Sequence, residues 1–135
     1  MSAPIYLDNH ATTQVDPRVF EVMRPFLEGQ YGNPSSTGHS YGWFAKESVE
    51  IAREQVADLI GATPKEIVFT SGATESNNLA ILGAARSAGK GRVITVATEH
   101  SSVIASVEAL RLEGFKTDIL PVESSGLVDL ERLRS

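Results

Sequence analysis

Residues 92–98, "RVITVAT", form an almost unbroken apolar and β-branched run. Such a run is the signature of a strand covered on both faces, as in the interior of an α/β sheet. The flanking segments supply the covering helices. Residues 73–88 and 101–113 read as helices on either side, and a second β-rich run, "KTDILPV" (116–122), follows. In the first helix Leu79 and Leu82 share a face, with Gly83 beside them as a small packing residue. Upstream, "EIVFT" (66–70) reads as a further short strand. Strands alternating with helices point to an α/β fold with parallel or mixed pairing. A chain of 135 residues, 41% hydrophobic and 21% charged, can bury a real core.

The N-terminal third has a different texture. Residues 17–28 open with Asp16 and Pro17, a natural N-cap and first-turn pair, and place Val19, Val22, Met23 and Phe26 on one face. Pro25 is expected to kink or shorten this helix. A turn-rich stretch leads into the clearest helix, 40–60, where Phe44, Ala45, Val49, Ala52, Val56, Leu59 and Ile60 recur at helical spacing. Gly61 is placed to close it. Residues 1–40 therefore read as an N-terminal arm and helix, and 41–135 as an α/β domain. The last segment, "GLVDLERLRS", starts a helix at an Asp129 N-cap and reads as cut after about two turns.

Charge and composition exclude several roles. A net charge of −5 without a Lys/Arg cluster argues against nucleic-acid binding. No apolar stretch is long enough to cross a bilayer, and the N-terminus lacks a secretory pattern, so a cytoplasmic protein is expected. Without cysteine the chain has no disulfides or thiolate metal ligands, and no metal site is expected.

Residues 69–78, "FTSGATESNN", draw the eye to chemistry. If Phe69 ends a strand and Glu75 lies in a first helical turn, Ser71–Thr74 sit at a helix N-terminus. Unpaired N–H groups and the helix dipole there favour an anion such as phosphate. Gly72 leaves the approach open, and the Thr74 hydroxyl can donate a further bond. The turn is neither a Walker loop nor a dinucleotide fingerprint. A plain hydroxyl cap by Ser71 or Thr74 explains the same residues equally well. His100, in "TEHSSV" after the 92–98 strand, offers an imidazole at a strand's carboxyl end, fit to stack on a flat ring or move protons. It, too, could simply cap the next helix. His10 in "LDNHATT" (7–13) suits a pocket entrance or an ordinary turn, and His39 reads as a helix-start residue.

Taken together, "YLDNHATTQVDP", "YGNPSSTGHSYG", "IVFTSGATESNNLAI" and "TEHSSV" resemble, in order and approximate spacing, the N-terminal part of cysteine desulfurases. These belong to the class V branch of the fold-type I aminotransferases. The resemblance covers nearly the whole chain. It implies an α/β architecture made of an N-terminal arm and part of the mixed, mostly parallel sheet of the large pyridoxal-phosphate domain, here incomplete. It also implies pyridoxal 5'-phosphate as cofactor, its phosphate held by Ala73 and Thr74, with His100 stacked over the ring and moving protons. The segment around His10 would line the active-site region.

The implied reaction converts L-cysteine to L-alanine and leaves a persulfide on an enzyme cysteine, for iron–sulfur scaffolds and other sulfur acceptors. Family members work as homodimers. The family's Schiff-base lysine and nucleophilic cysteine lie further along. This chain has no cysteine, and Lys46, Lys65, Lys90 and Lys116 do not match the lysine motif. Alone, it is expected to be inactive. Other readings are a related class V aminotransferase or selenocysteine lyase, a non-catalytic piece that binds a complementary chain, or a small phosphate-ligand domain.

Overall fold

The computed structural model describes residues 4–89 and 91–134. Along the chain run α1 (Pro17–Glu28), α2 (Ser40–Ile60), a 3-10 turn (Pro64–Glu66), α3 (Ala73–Ala88), β1 (Arg92–Val96), α4 (Ser101–Leu112), β2 (Lys116–Leu120) and α5 (Leu130–Arg134). They fall into two compact units, Met1–Val68 and Phe69–Ser135.

In the first unit, each helix end follows the local sequence. Asp16 accepts a 2.8 Å hydrogen bond from the Arg18 N–H and Pro17 occupies the first turn, where its missing donor costs nothing. Pro25 does not shorten α1, which runs through to Glu28. It lies in the last turn, so only its own missing bond is lost, and its carbonyl still accepts from Gly29 and Gln30 at 3.0 and 2.8 Å. The ring of Phe26 stacks on Phe44 at 6.0 Å. His39 opens α2, its Nδ1 accepting from the Gly42 N–H at 3.3 Å. Gly42 is buried where the helix passes the turn at Ser36, and a Cβ there would lie 2.0 Å from the Ser36 carbonyl oxygen. Gly61 closes α2 in the left-handed region at φ 70°, the conformation glycine adopts without strain.

The strand expected over 66–70 is absent. Glu66 belongs to the 3-10 turn and 67–70 pairs with no strand among the described residues. Ile67 is extended, but a strand exists only through a partner strand, and among the described residues β1 and β2 pair with each other. The Arg53 guanidinium instead donates to the Ile67 carbonyl. Thr63 and Glu66 fasten the turn, the Glu66 carboxylate accepting from the Thr63 N–H and hydroxyl at 2.8 Å each.

The second unit is a β–α–β arrangement with an added helix. β1 and β2 pair in parallel, in register from Arg92 opposite Lys116 to Val96 opposite Leu120. α4 connects them and packs on both, as a parallel pair requires a crossover. Outside this pair, an isolated antiparallel bridge joins Val122 to Val128. Val107, Leu110 and Leu120 form the buried core, with Ser106 among them. α3 packs against α4.

Two expectations change here. β1 is not covered on both faces: Ile94 is 42% and Ile119 of β2 45% exposed. A two-stranded sheet with one crossover helix leaves half of its alternating side chains open. Gly83, expected as a small packing residue, has open space around it, with nothing within 4 Å of a built Cβ. The remaining elements keep their expected positions, including the Asp129 cap of α5, which accepts from the Glu131 and Arg132 N–H groups at 2.9 and 3.2 Å.

Candidate functional site

α3 begins at Ala73 after an extended Gly72, with no side-chain cap at all. Neither Ser71 nor Thr74 supplies the hydroxyl cap that the sequence allowed. Ser71 turns the other way, its N–H and hydroxyl both donating to the Glu75 carboxylate at 2.6 and 2.7 Å. These two bonds, the backbone one first, hold the Glu75 carboxyl below its ordinary range. The Thr70 hydroxyl sits 2.6 Å from the Ser76 hydroxyl and donates to the Gly72 carbonyl at 3.2 Å.

The result is a first turn with its donors unclaimed. Among the described residues, the N–H groups of Ala73 and Thr74 and the Thr74 hydroxyl have no protein partner. All three belong to exposed residues. A Cβ on Gly72 would meet nothing within 4 Å, so the approach to the turn is clear. Aligned helix dipoles add partial positive charge at this end. The arrangement can take an anionic group of phosphate size by charge-assisted hydrogen bonds.

His100 follows β1 by one short turn and is the N-cap of α4. Its Nδ1 accepts from the Ser102 N–H at 3.2 Å and lies 2.9 Å from the Ser102 hydroxyl. The capping role that the sequence allowed is therefore present. It does not consume the ring, because Nε2 has no protein partner among the described residues. Asn77 of α3 donates from Nδ2 to the Ser102 hydroxyl at 2.9 Å. Ala73, Thr74 and Asn77 share the first two turns of α3, so the cradle's helix and the imidazole are joined through two side chains. The sequence reading missed Asn77 and Ser102. A polar pair 25 residues apart has no local signature.

The other two histidines belong to the first unit. His39 caps α2 and meets Tyr41 edge-on at 6.3 Å, as a helix-start residue does. His10 lies in a turn of the first unit, where the Ala11 N–H donates to the Asp8 carbonyl at 3.1 Å and the Tyr6 hydroxyl is 2.8 Å from the Thr12 hydroxyl. Among the described residues, no group of three or more His, Cys, Asp or Glu side chains could hold a metal ion. A surface hollow of about 670 Å³ lies at the amino ends of the strands, lined by Arg92, Glu113, Phe115 and Lys116. It is open, and two of its charged lining groups, Glu113 and Arg92, are drawn into ion pairs with Arg86 and Asp118.

A model of the aminotransferase class-V family matches residues 5–135. The chain belongs to the class-V aminotransferase family. It is 58% identical over 132 residues to a mitochondrial cysteine desulfurase of Drosophila melanogaster, covering 96% of this chain and 29% of that protein. It is 55% identical over 140 residues to the cysteine desulfurase IscS of Cronobacter sakazakii, covering 100% of this chain and 34% of that one. Among solved structures it is similar to a NifS-like protein with a TM-score of 0.84 and 44% identity, over 96% of this chain and 36% of that one. SspA in complex with cysteine gives a TM-score of 0.81 and 40% identity, over 95% and 37%. The chain thus spans about a third of the length of these class-V relatives. Their fold is the fold-type I α/β architecture, of which this chain carries part. No helix among the described residues is long and apolar enough to cross a membrane.

Proposed function

We propose that this chain is the N-terminal part of a pyridoxal-phosphate-dependent cysteine desulfurase, which converts L-cysteine to L-alanine and passes the sulfur to an enzyme cysteine as a persulfide. The observation that carries the reading is the uncapped first turn of α3, set in a chain more than half identical to proteins named cysteine desulfurase. A first turn without a side-chain cap leaves its N–H donors open, and a phosphate would satisfy them. The donor set thus fits the cofactor. Ala73 would hold the phosphate through its N–H, and Thr74 through both its N–H and its hydroxyl.

The cofactor, when bound, supplies an electron sink for the substrate's α-carbon. The chain's own residues bind and orient it. His100 presents its Nε2 edge, because Nδ1 is occupied by the cap, and so can stack on a flat ring and carry a proton at Nε2. In the same proposal, residues 1–40, with His10, line the active-site region and 41–135 form the partial cofactor domain. The whole protein is a cytoplasmic homodimer that hands sulfur to acceptor proteins, iron–sulfur scaffolds included.

The chain itself has no cysteine to carry a persulfide. The complete protein should form alanine from cysteine in step with transferable sulfur, whereas the 135-residue chain should form neither. Alanine and sulfide from the chain alone would overturn the proposal. Selenocysteine turnover far faster than cysteine turnover would move it to a selenocysteine lyase.

A second reading rests on the open apolar surface. Ile94, Ile119, Leu79 and Phe69 remain exposed, which suits a piece that binds a complementary chain of the same protein. Light scattering of a mixture with that complementary piece tests it. Association supports this reading, and a stable monomer in the mixture removes it.

A further inference from the structure

Around His100 the hydrogen bonds admit one arrangement of protons. The Ser102 N–H points at Nδ1 from 3.2 Å, so Nδ1 carries a lone pair and the neutral ring has its proton on Nε2. The Ser102 hydroxyl, 2.9 Å from the same nitrogen, must then donate to it. With its proton so used, that oxygen can only accept from Asn77, whose amide reaches it at 2.9 Å through the NH₂. Asn77 donates to Ser102 and Ser102 donates to His100: each bond fixes the direction of the next. Below them, the Ser106 hydroxyl, itself buried, donates to the Ser102 carbonyl at 2.8 Å and steadies the first turn of α4.

We propose that Asn77 and Ser102 are positioning residues that lock the His100 ring in its Nε2–H form and set its tilt. The proposal deepens the reading of His100 given above and rests on it for its consequence in the reaction. Without the Ser102 hydroxyl the ring keeps one bond at Nδ1, the longer backbone one, and can turn about its side-chain axis. The source of the device is on the cradle's own helix, so the packing of α3 on α4 aligns the phosphate donors and the imidazole together.

The test is the tautomer itself, read by long-range proton–nitrogen correlation on the whole protein with labelled histidine, at mildly alkaline pH. The His100 signals are assigned by their loss in His100→Gln. The wild type should hold the Nε2–H form in roughly tenfold excess or more, the worth of the added hydrogen bond. Ser102→Ala, with the backbone N–H still on Nδ1, should raise the share of the Nδ1–H form several-fold, and Ser102→Thr, which restores a hydroxyl, should recover the wild-type pattern. Asn77→Asp is the sharpest variant, because it keeps shape while reversing polarity. An aspartate accepts the Ser102 proton, so the ring should lose it as completely as in Ser102→Ala. Wild-type tautomers in Asn77→Asp and Ser102→Ala would overturn the proposal. In the holoenzyme the same two variants should lower kcat for cysteine with KM little changed. A mixed tautomer with full kcat would leave the ring-locking intact and instead remove His100 from the proposed reaction.

Discussion

The buried Gly42 is where a single methyl group should do the most damage. A Cβ there would stand 2.0 Å from the Ser36 carbonyl oxygen and 2.8 Å from both its carbonyl carbon and its Cβ. The obstruction is backbone, not a movable side chain. The turn that carries it is held by two hydrogen bonds that Asn33 accepts, from the Ser35 N–H at Oδ1 and from the Ser36 N–H at its carbonyl, both at 2.9 Å. Admitting the methyl means shifting this turn, which costs about 2–3 kcal/mol by the usual scale of overpacking and of two weakened bonds. Replacing glycine by alanine inside a helix returns about 1 kcal/mol. Gly42→Ala should therefore destabilise the first unit by roughly 1–2 kcal/mol, or about 0.5–1 M in the urea midpoint at a typical slope. Trp43, the only tryptophan, lies next to the change and donates from its indole N–H to the Thr37 carbonyl at 2.6 Å, so its emission reports this unit. Gly83→Ala, in the second unit and read by circular dichroism, is the contrast: its Cβ meets nothing, and it should gain about 0.5–1 kcal/mol by backbone entropy and helix propensity. A Gly42→Ala midpoint at or above wild type would refute the close approach on which this rests.

Two further outcomes follow from packing and charge. Leu110 is 0% exposed at the centre of the second unit, so Leu110→Ala should cost about 2–5 kcal/mol and lower the thermal midpoint of that unit in circular dichroism. Glu66 and Glu75 are both held below the ordinary glutamate range, each first by a backbone N–H, from Thr63 and Ser71, and then by the same residue's hydroxyl. Because the folded value lies below the unfolded one, their contribution is complete above the unfolded value and lost as pH falls through the folded one. The urea midpoint should therefore decline on acidification below the ordinary glutamate range, and Glu66→Gln with Glu75→Gln should flatten that decline.

The sequence carried the helices because their ends are local chemistry. Asp16 with Pro17, Gly61 and Asp129 each act within a few residues of themselves, and α1, α2 and α5 begin or end where those residues stand. The strand expected at 66–70 failed for the opposite reason: a β-rich composition cannot say whether a neighbouring strand exists to pair with it. At the candidate site the sequence placed the anion cradle and the imidazole but left each with a capping alternative. The structure resolves these differently. Ser71 and Thr74 do not cap α3, whereas His100 does cap α4 and keeps its second nitrogen free. The pair that joins them, Asn77 and Ser102, depends on how α3 lies against α4, which no short window of sequence contains.

The central claim is that the first turn of α3 binds the cofactor through its phosphate. Its direct test compares pyridoxal phosphate with pyridoxal, which lacks the phosphate, on the complete protein and on Thr74→Val. Removing one hydroxyl that donates to a charged group should cost about 1.5–3 kcal/mol, or roughly 10- to 150-fold in Kd for pyridoxal phosphate. Pyridoxal should bind the two proteins equally. If pyridoxal phosphate bound wild type and Thr74→Val with the same affinity, the cradle would not be a phosphate site.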